Sequence, residues 1–150
     1  MDWFKIQAEL LKEYGELKKL NKTNSYVIEH EGNVYASVTG TWFAVIPADM
    51  WVLKLPTLES FTPYMNMLKG AYGDDLQVLE VSNITQKLKG LTAVKLTCEK
   101  FDCWVNKKYL ALFGRASQLK LVTNGRLKLV YVYDAYTNNL IGCIAQLRVK

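Results

Sequence analysis

Between Asp2 and Leu20 the apolar residues Trp3, Ile6, Leu10, Tyr14 and Leu17, joined by Phe4 and Leu11, recur at spacings of three and four. That is the period of a helix, and it predicts one over residues 2–20 with these side chains in a single apolar stripe. Asp2 stands where a cap belongs, and Lys18 and Lys19 place positive charge in the last turn, where the helix dipole favours it. Glu9, Glu13 and Glu16 alternate with Lys5, Lys12, Lys18 and Lys19 on the remaining surface. The period then drops to two. Residues 25–30 and 33–39 read as strands flanking the tight-turn pair Glu31-Gly32, and 41–46 as a third strand that Pro47 ends. Trp42, Phe43, Trp51 and Tyr35 read as core aromatics, because they are not interleaved with Lys or Arg as a base-stacking face requires.

Further along, Pro63 suits the first turn of a short helix over 62–70 whose buried side is Tyr64, Met67 and Leu68. Residues 70–75 read as a loop. Strands are expected over 76–82, 91–98 and 101–105. Asn106 then caps a helix, Lys107–Phe113, that Gly114 stops. The Asn124-Gly125 pair marks a hairpin. A three-residue loop, Thr123 to Gly125, pairs Leu121 with Leu127 and Leu119 with Leu129, which gathers the leucines on one face. It also sets Lys120 opposite Lys128, an arrangement that calls for full solvation or an anionic partner. The second hairpin strand spans 127–134, and a last strand covers 140–149.

Composition narrows the class. A 150-residue chain that is 50% hydrophobic and 22% charged, with three prolines and nine glycines, is neither disordered nor low-complexity. Folding it buries roughly 70% of the surface of the unfolded chain. No linker divides it, so one domain over 1–150 is expected. The apolar run from Thr41 to Pro47 is far short of the ~20 residues of a membrane span, and the opening Met1-Asp2-Trp3-Phe4 lacks a basic, then apolar, leader. The expectation is a soluble, cytoplasmic protein with no membrane partner.

Charge is unevenly spread. Residues 1–84 hold 7 Lys/Arg against 11 Asp/Glu, a net −4, whereas 85–150 hold 12 against 3, a net +9. A +9 half is the footprint of a phosphate or acidic partner, unless its lysines are simply solvated edge and loop residues. Three cysteines, with Cys98 and Cys103 too far apart in sequence for a zinc knuckle and a lone histidine, His30, far away, read as reduced structural thiols. No metal or cofactor is expected. No nucleophile elbow, P-loop, metalloprotease or dinucleotide motif is present, and His30 reads as a strand-end surface residue rather than a base.

The run Val105-Asn-Lys-Lys-Tyr-Leu-Ala-Leu-Phe113, the strand 119–122, Leu129-Val-Tyr-Val-Tyr-Asp134 and Leu140-Ile-Gly-Cys-Ile-Ala-Gln-Leu-Arg148 together resemble the C-terminal half-domain of bacterial sliding clamps, the DNA polymerase processivity factors. Leu129 and Gln146 stand where that family has proline. The resemblance implies an α+β fold: a single clamp-like domain of two helix–β–β–β units, a pseudo-repeat over 1–82 and 91–150, with two helices on one face of a curved antiparallel sheet. It also implies a non-catalytic protein of DNA replication, binding nucleic acid or a replication protein, with a phage or mobile element as the expected source. Contacts to phosphate fall to Lys107, Lys108 and Arg115 around the short helix and to Lys120, Arg126 and Lys128 on the hairpin, through a helix face or a sheet face. The alternative is an assembly module whose tail residues Leu147, Arg148 and Val149 take a partner peptide, and whose C-terminal strand pairs with another copy at the sheet edge.

Overall fold

A computed structural model of the chain describes residues 1–22, 25–71, 75–124 and 128–149. Helix α1 (Trp3–Lys19) starts where the Asp2 carboxylate accepts the Lys5 backbone N–H at 3.0 Å. Its buried arc is narrower than the sequence implies. Ile6, Gln7, Leu10 and Glu13 are buried, whereas Phe4 and Leu11 are 58% and 52% exposed. Each helical residue turns about 100°, so Leu11 and Phe4 project past the arc centred on Ile6 and Leu10. Gln7 holds the rim of that arc instead, because its side chain donates to the Met50 carbonyl at 2.9 Å and accepts the Val52 N–H at 2.8 Å.

Strands β1 (Tyr26–His30), β2 (Asn33–Ser37) and β3 (Trp42–Pro47) form an antiparallel meander. Glu31 and Gly32 both take positive φ in its two-residue turn, as the sequence predicts. Helix α2 (Thr62–Leu68) follows, then a second meander of β4 (Gln77–Leu88), β5 (Leu91–Thr97) and β6 (Asp102–Asn106). Helix α3 (Lys107–Phe113) is capped by the Asn106 side chain, which accepts the Lys108 N–H at 3.0 Å. It leads into β7 (Leu119–Thr123), β8 (Leu129–Asp134) and β9 (Leu140–Ala145).

The nine strands of the described residues join one antiparallel sheet in the order β1-β2-β3-β9-β8-β7-β4-β5-β6. The fold class is α+β, as expected. The units α1-β1-β2-β3 and α3-β7-β8-β9 meet at the β3–β9 pair, about which the strand order is mirrored. Helices α1 and α3 share one face. Trp42 of β3 stacks on Tyr109 of α3 at 5.1 Å and donates its Nε1 hydrogen to Glu13 of α1 at 2.9 Å. Helix α2 lies on the opposite face, over a second core of Phe43, Val45, Tyr64, Tyr131 and Cys143. With helices on both faces, the central strands are apolar on both sides, which explains the unbroken runs in β3 and β8.

Three expectations need correction. The β7–β8 register pairs Leu121 with Val132, Lys120 with Tyr133 and Leu119 with Asp134, not Leu119 with Leu129 or Lys120 with Lys128. Val130 and Val132, both wholly buried, fill the main core beside Leu119 and Leu121, while Leu129 turns to the α2 side. The register maximised burial on two faces, not one. The expected loop residue Gly125 and the expected partners Arg126 and Leu127 lie outside the described residues. Second, the last strand ends at Ala145 and is central, flanked by β3 and β8, so it has no free edge to offer another copy. The outer strands are themselves partly covered. The Val27 carbonyl of β1 accepts the Leu58 N–H at 2.8 Å, and the Trp104 carbonyl of β6 accepts the Leu147 N–H at 2.7 Å. Third, β4 runs on to Leu88 and turns through Lys89 and Gly90 into β5. That outer stretch is mostly exposed and polar, so no alternation announces it.

Candidate functional site

The two helices of the layer run antiparallel. Lys5 of α1 faces Ala111 and Leu112 of α3, Glu9 meets Lys108, and Glu13 meets Tyr109. Between them runs a shallow groove, mainly apolar in surface, lined by Lys5, Ala8, Glu9, Lys12, Lys108, Ala111 and Leu112. Three of these side chains are cations and one is a carboxylate.

Of the three glutamates of α1, Glu13 is buried and Glu9 partly so, while Glu16 is exposed. Glu13 is 6% exposed and accepts Trp42 Nε1–H and the Tyr109 hydroxyl, each at 2.9 Å. Burial raises its pKa above the ordinary carboxyl value, against the two hydrogen bonds that pull it back. Glu9 Oε1 is shielded from solvent and accepts no well-aligned hydrogen bond; its charge is met by the Lys108 ammonium 2.6 Å away. That contact raises the Lys108 pKa, so the ammonium stays charged. A helix that counts three glutamates against four lysines therefore turns mainly lysines outward. Among the described residues, no carboxylate comes within ion-pair distance of Lys5, Lys12, Lys107 or Arg115.

The predicted phosphate contacts separate into two faces. Lys107 and Lys108 are exposed at the start of α3, and Lys107 also borders a hollow beside the Gly90 turn. Arg115, exposed just past α3, lines a groove with Lys5, Asp2, Asp134 and Tyr136 at the end of the layer where α1 begins. Lys120 is exposed on β7 opposite Tyr133, which packs on the α2 side. Lys128 is exposed at positive φ, with its carbonyl accepting the Gln146 N–H at 2.8 Å. Arg126 lies outside the described residues. The helix group and Lys120 thus sit on opposite faces of the sheet.

In the tail, Leu147 and Val149 are half-buried, Arg148 is exposed, and Leu147 is bridged to Trp104. Sequence reasoning missed Lys5 and Lys12. Their seven-residue spacing puts them on one side of α1, but only the packing of α3 alongside joins them to Lys108.

Elsewhere, His30 stacks on Phe61 at 3.8 Å and lies 3.7 Å from Glu31. All three cysteines are free, and burial pushes the Cys103 and Cys143 thiols up to about 12. Among the described residues, no group of His, Cys, Asp or Glu could hold a metal ion, and no helix is long and apolar enough to cross a membrane. No protein-family model, curated protein or solved structure matches the chain.

Proposed function

We propose that this is a non-catalytic, clamp-like protein that binds nucleic acid through the outer face of its α1–α3 layer. The observation that carries the reading is the groove between the helices, to which Lys5, Lys12 and Lys108 all contribute and whose one carboxylate, Glu9, is paired with Lys108, leaving Lys5 and Lys12 as its unpaired cations among the described residues. Lys107, the first residue of α3, and Arg115, just past its end, extend the positive surface along that helix. Lysine and arginine side chains supply affinity for phosphate without reading bases, so the binding is sequence-tolerant. The resemblance of residues 105–149 to sliding clamps, and the pairing of two helix–β–β–β units through β3 and β9, support the clamp-like description. The helix face is the favoured surface over the hairpin, because Lys120 and Lys128 do not pair there as a basic cluster.

Fluorescence anisotropy with labelled single and double strands at rising salt tests this. The expected outcome is measurable affinity near about 50 mM salt and a log–log salt slope of roughly −3 to −4, as four or so neutralised phosphates require. Absence of binding to either polymer at that salt overturns the proposal.

A further inference from the structure

Resting on the phosphate-binding reading, we infer that the preferred polymer is single-stranded, with its bases stacking on the aromatic side chains that stand among the lysines of the helix layer. Phe4 is 58% exposed and Leu11 52% exposed, on the same outward side of α1 as Ala8, next to Lys5 and Lys12. Neither ring nor methyls have a place in the core. At the end of the layer, Tyr136 is 83% exposed and lines the groove that holds Lys5 and Arg115. The two acids in that groove accept backbone hydrogen bonds: Asp2, the α1 cap, accepts the Lys5 N–H at 3.0 Å, and Asp134, at the end of β8, accepts the Tyr136 N–H at 2.8 Å and the Thr137 N–H at 3.2 Å.

The choice between polymers follows from what each presents. A duplex turns sugar and phosphate outward and keeps the faces of its bases stacked inside, so it satisfies the lysines and leaves Phe4 in water. An unpaired strand offers a phosphate and a free base face with every nucleotide, which is the combination of cations and aromatic rings found here. The small side chains of Ala8 and Ala111, between Lys5, Lys12 and Lys108, leave room for a flat ring to approach the helices.

Anisotropy titrations of oligo(dT) and of a duplex of equal length, about 20 nucleotides, at one salt concentration test the inference. The expected result is tighter binding of oligo(dT), weakened about tenfold or more by Phe4→Ala and restored by Phe4→Trp, with duplex affinity unchanged within about twofold. Tyr136→Ala, at a site exposed enough to leave folding intact, is expected to act in the same direction. If the duplex binds as well as oligo(dT), or folded Phe4→Ala and Tyr136→Ala proteins bind oligo(dT) like the parent, the single-strand inference falls while the phosphate-binding reading stands. If neither polymer binds, that reading falls too.

Discussion

Glu13 shows how one residue changes meaning when the chain folds. In the sequence it belongs to a run of alternating charges; in the structure it is a buried acceptor joining Trp42 of β3 to Tyr109 of α3. Because desolvation raises its pKa, the folded protein binds the Glu13 proton more tightly than the unfolded chain does. The stabilisation linked to that proton is therefore complete below the ordinary carboxyl pKa and is lost as pH rises through the raised value. Melting the parent and Glu13→Gln proteins between pH 4 and about 7 is expected to show a decline in the parent that the amide variant lacks. Phe4 makes the opposite move. Counted into the apolar stripe by spacing, it ends up in solvent because the helix turns about 100° per residue, which points Phe4 past the edge of the buried arc that Gln7 holds.

At the scale of elements, the joint between α3 and the sheet depends on Gly142. A β-carbon there would lie 2.2 Å from the Phe113 ring and 2.8 Å from the Phe43 carbonyl. The ring of α3 therefore sits directly against the backbone of β9, and the carbonyl of β3 bars a retreat. Gly142→Ala is expected to cost about 3 kcal/mol, read as a lower denaturant midpoint with an unchanged slope. The hairpin teaches a related lesson. Leu119, Leu121, Leu127 and Leu129 alternate well enough to suggest their own register, yet Val130 and Val132 win the core positions. A single-face pattern could not foresee this, since the second buried face exists only because α2 covers it.

For the molecule as a whole, the relevant quantity is where charge faces, and the count by halves is a poor guide to it. The groove between the helices draws its lysines from both halves: Lys5 and Lys12 come from the net-negative one and Lys108 from the net-positive one. Lys120 belongs to the positive half but faces the α2 side. Reversing charge on the two faces should therefore have unequal effects. Lys12→Glu is expected to weaken nucleic-acid binding by about tenfold or more in an anisotropy titration, and Lys120→Glu to leave it within about twofold. Equal losses from both would point to net charge alone.

Local periodicity, caps and turn residues were enough to reveal α1 with its Asp2 cap, the Glu31-Gly32 turn and α3 from Lys107 to Phe113, because each rests on neighbours a few residues apart. The mirrored strand order, the central place of β9, the burial of Glu13 and the grouping of Lys5 and Lys12 with Lys108 were decided by tertiary structure. They depend on which surfaces two helices and a sheet hide from water together, and that competition joins residues roughly a hundred positions apart, as Tyr109 and Glu13 are joined across 96.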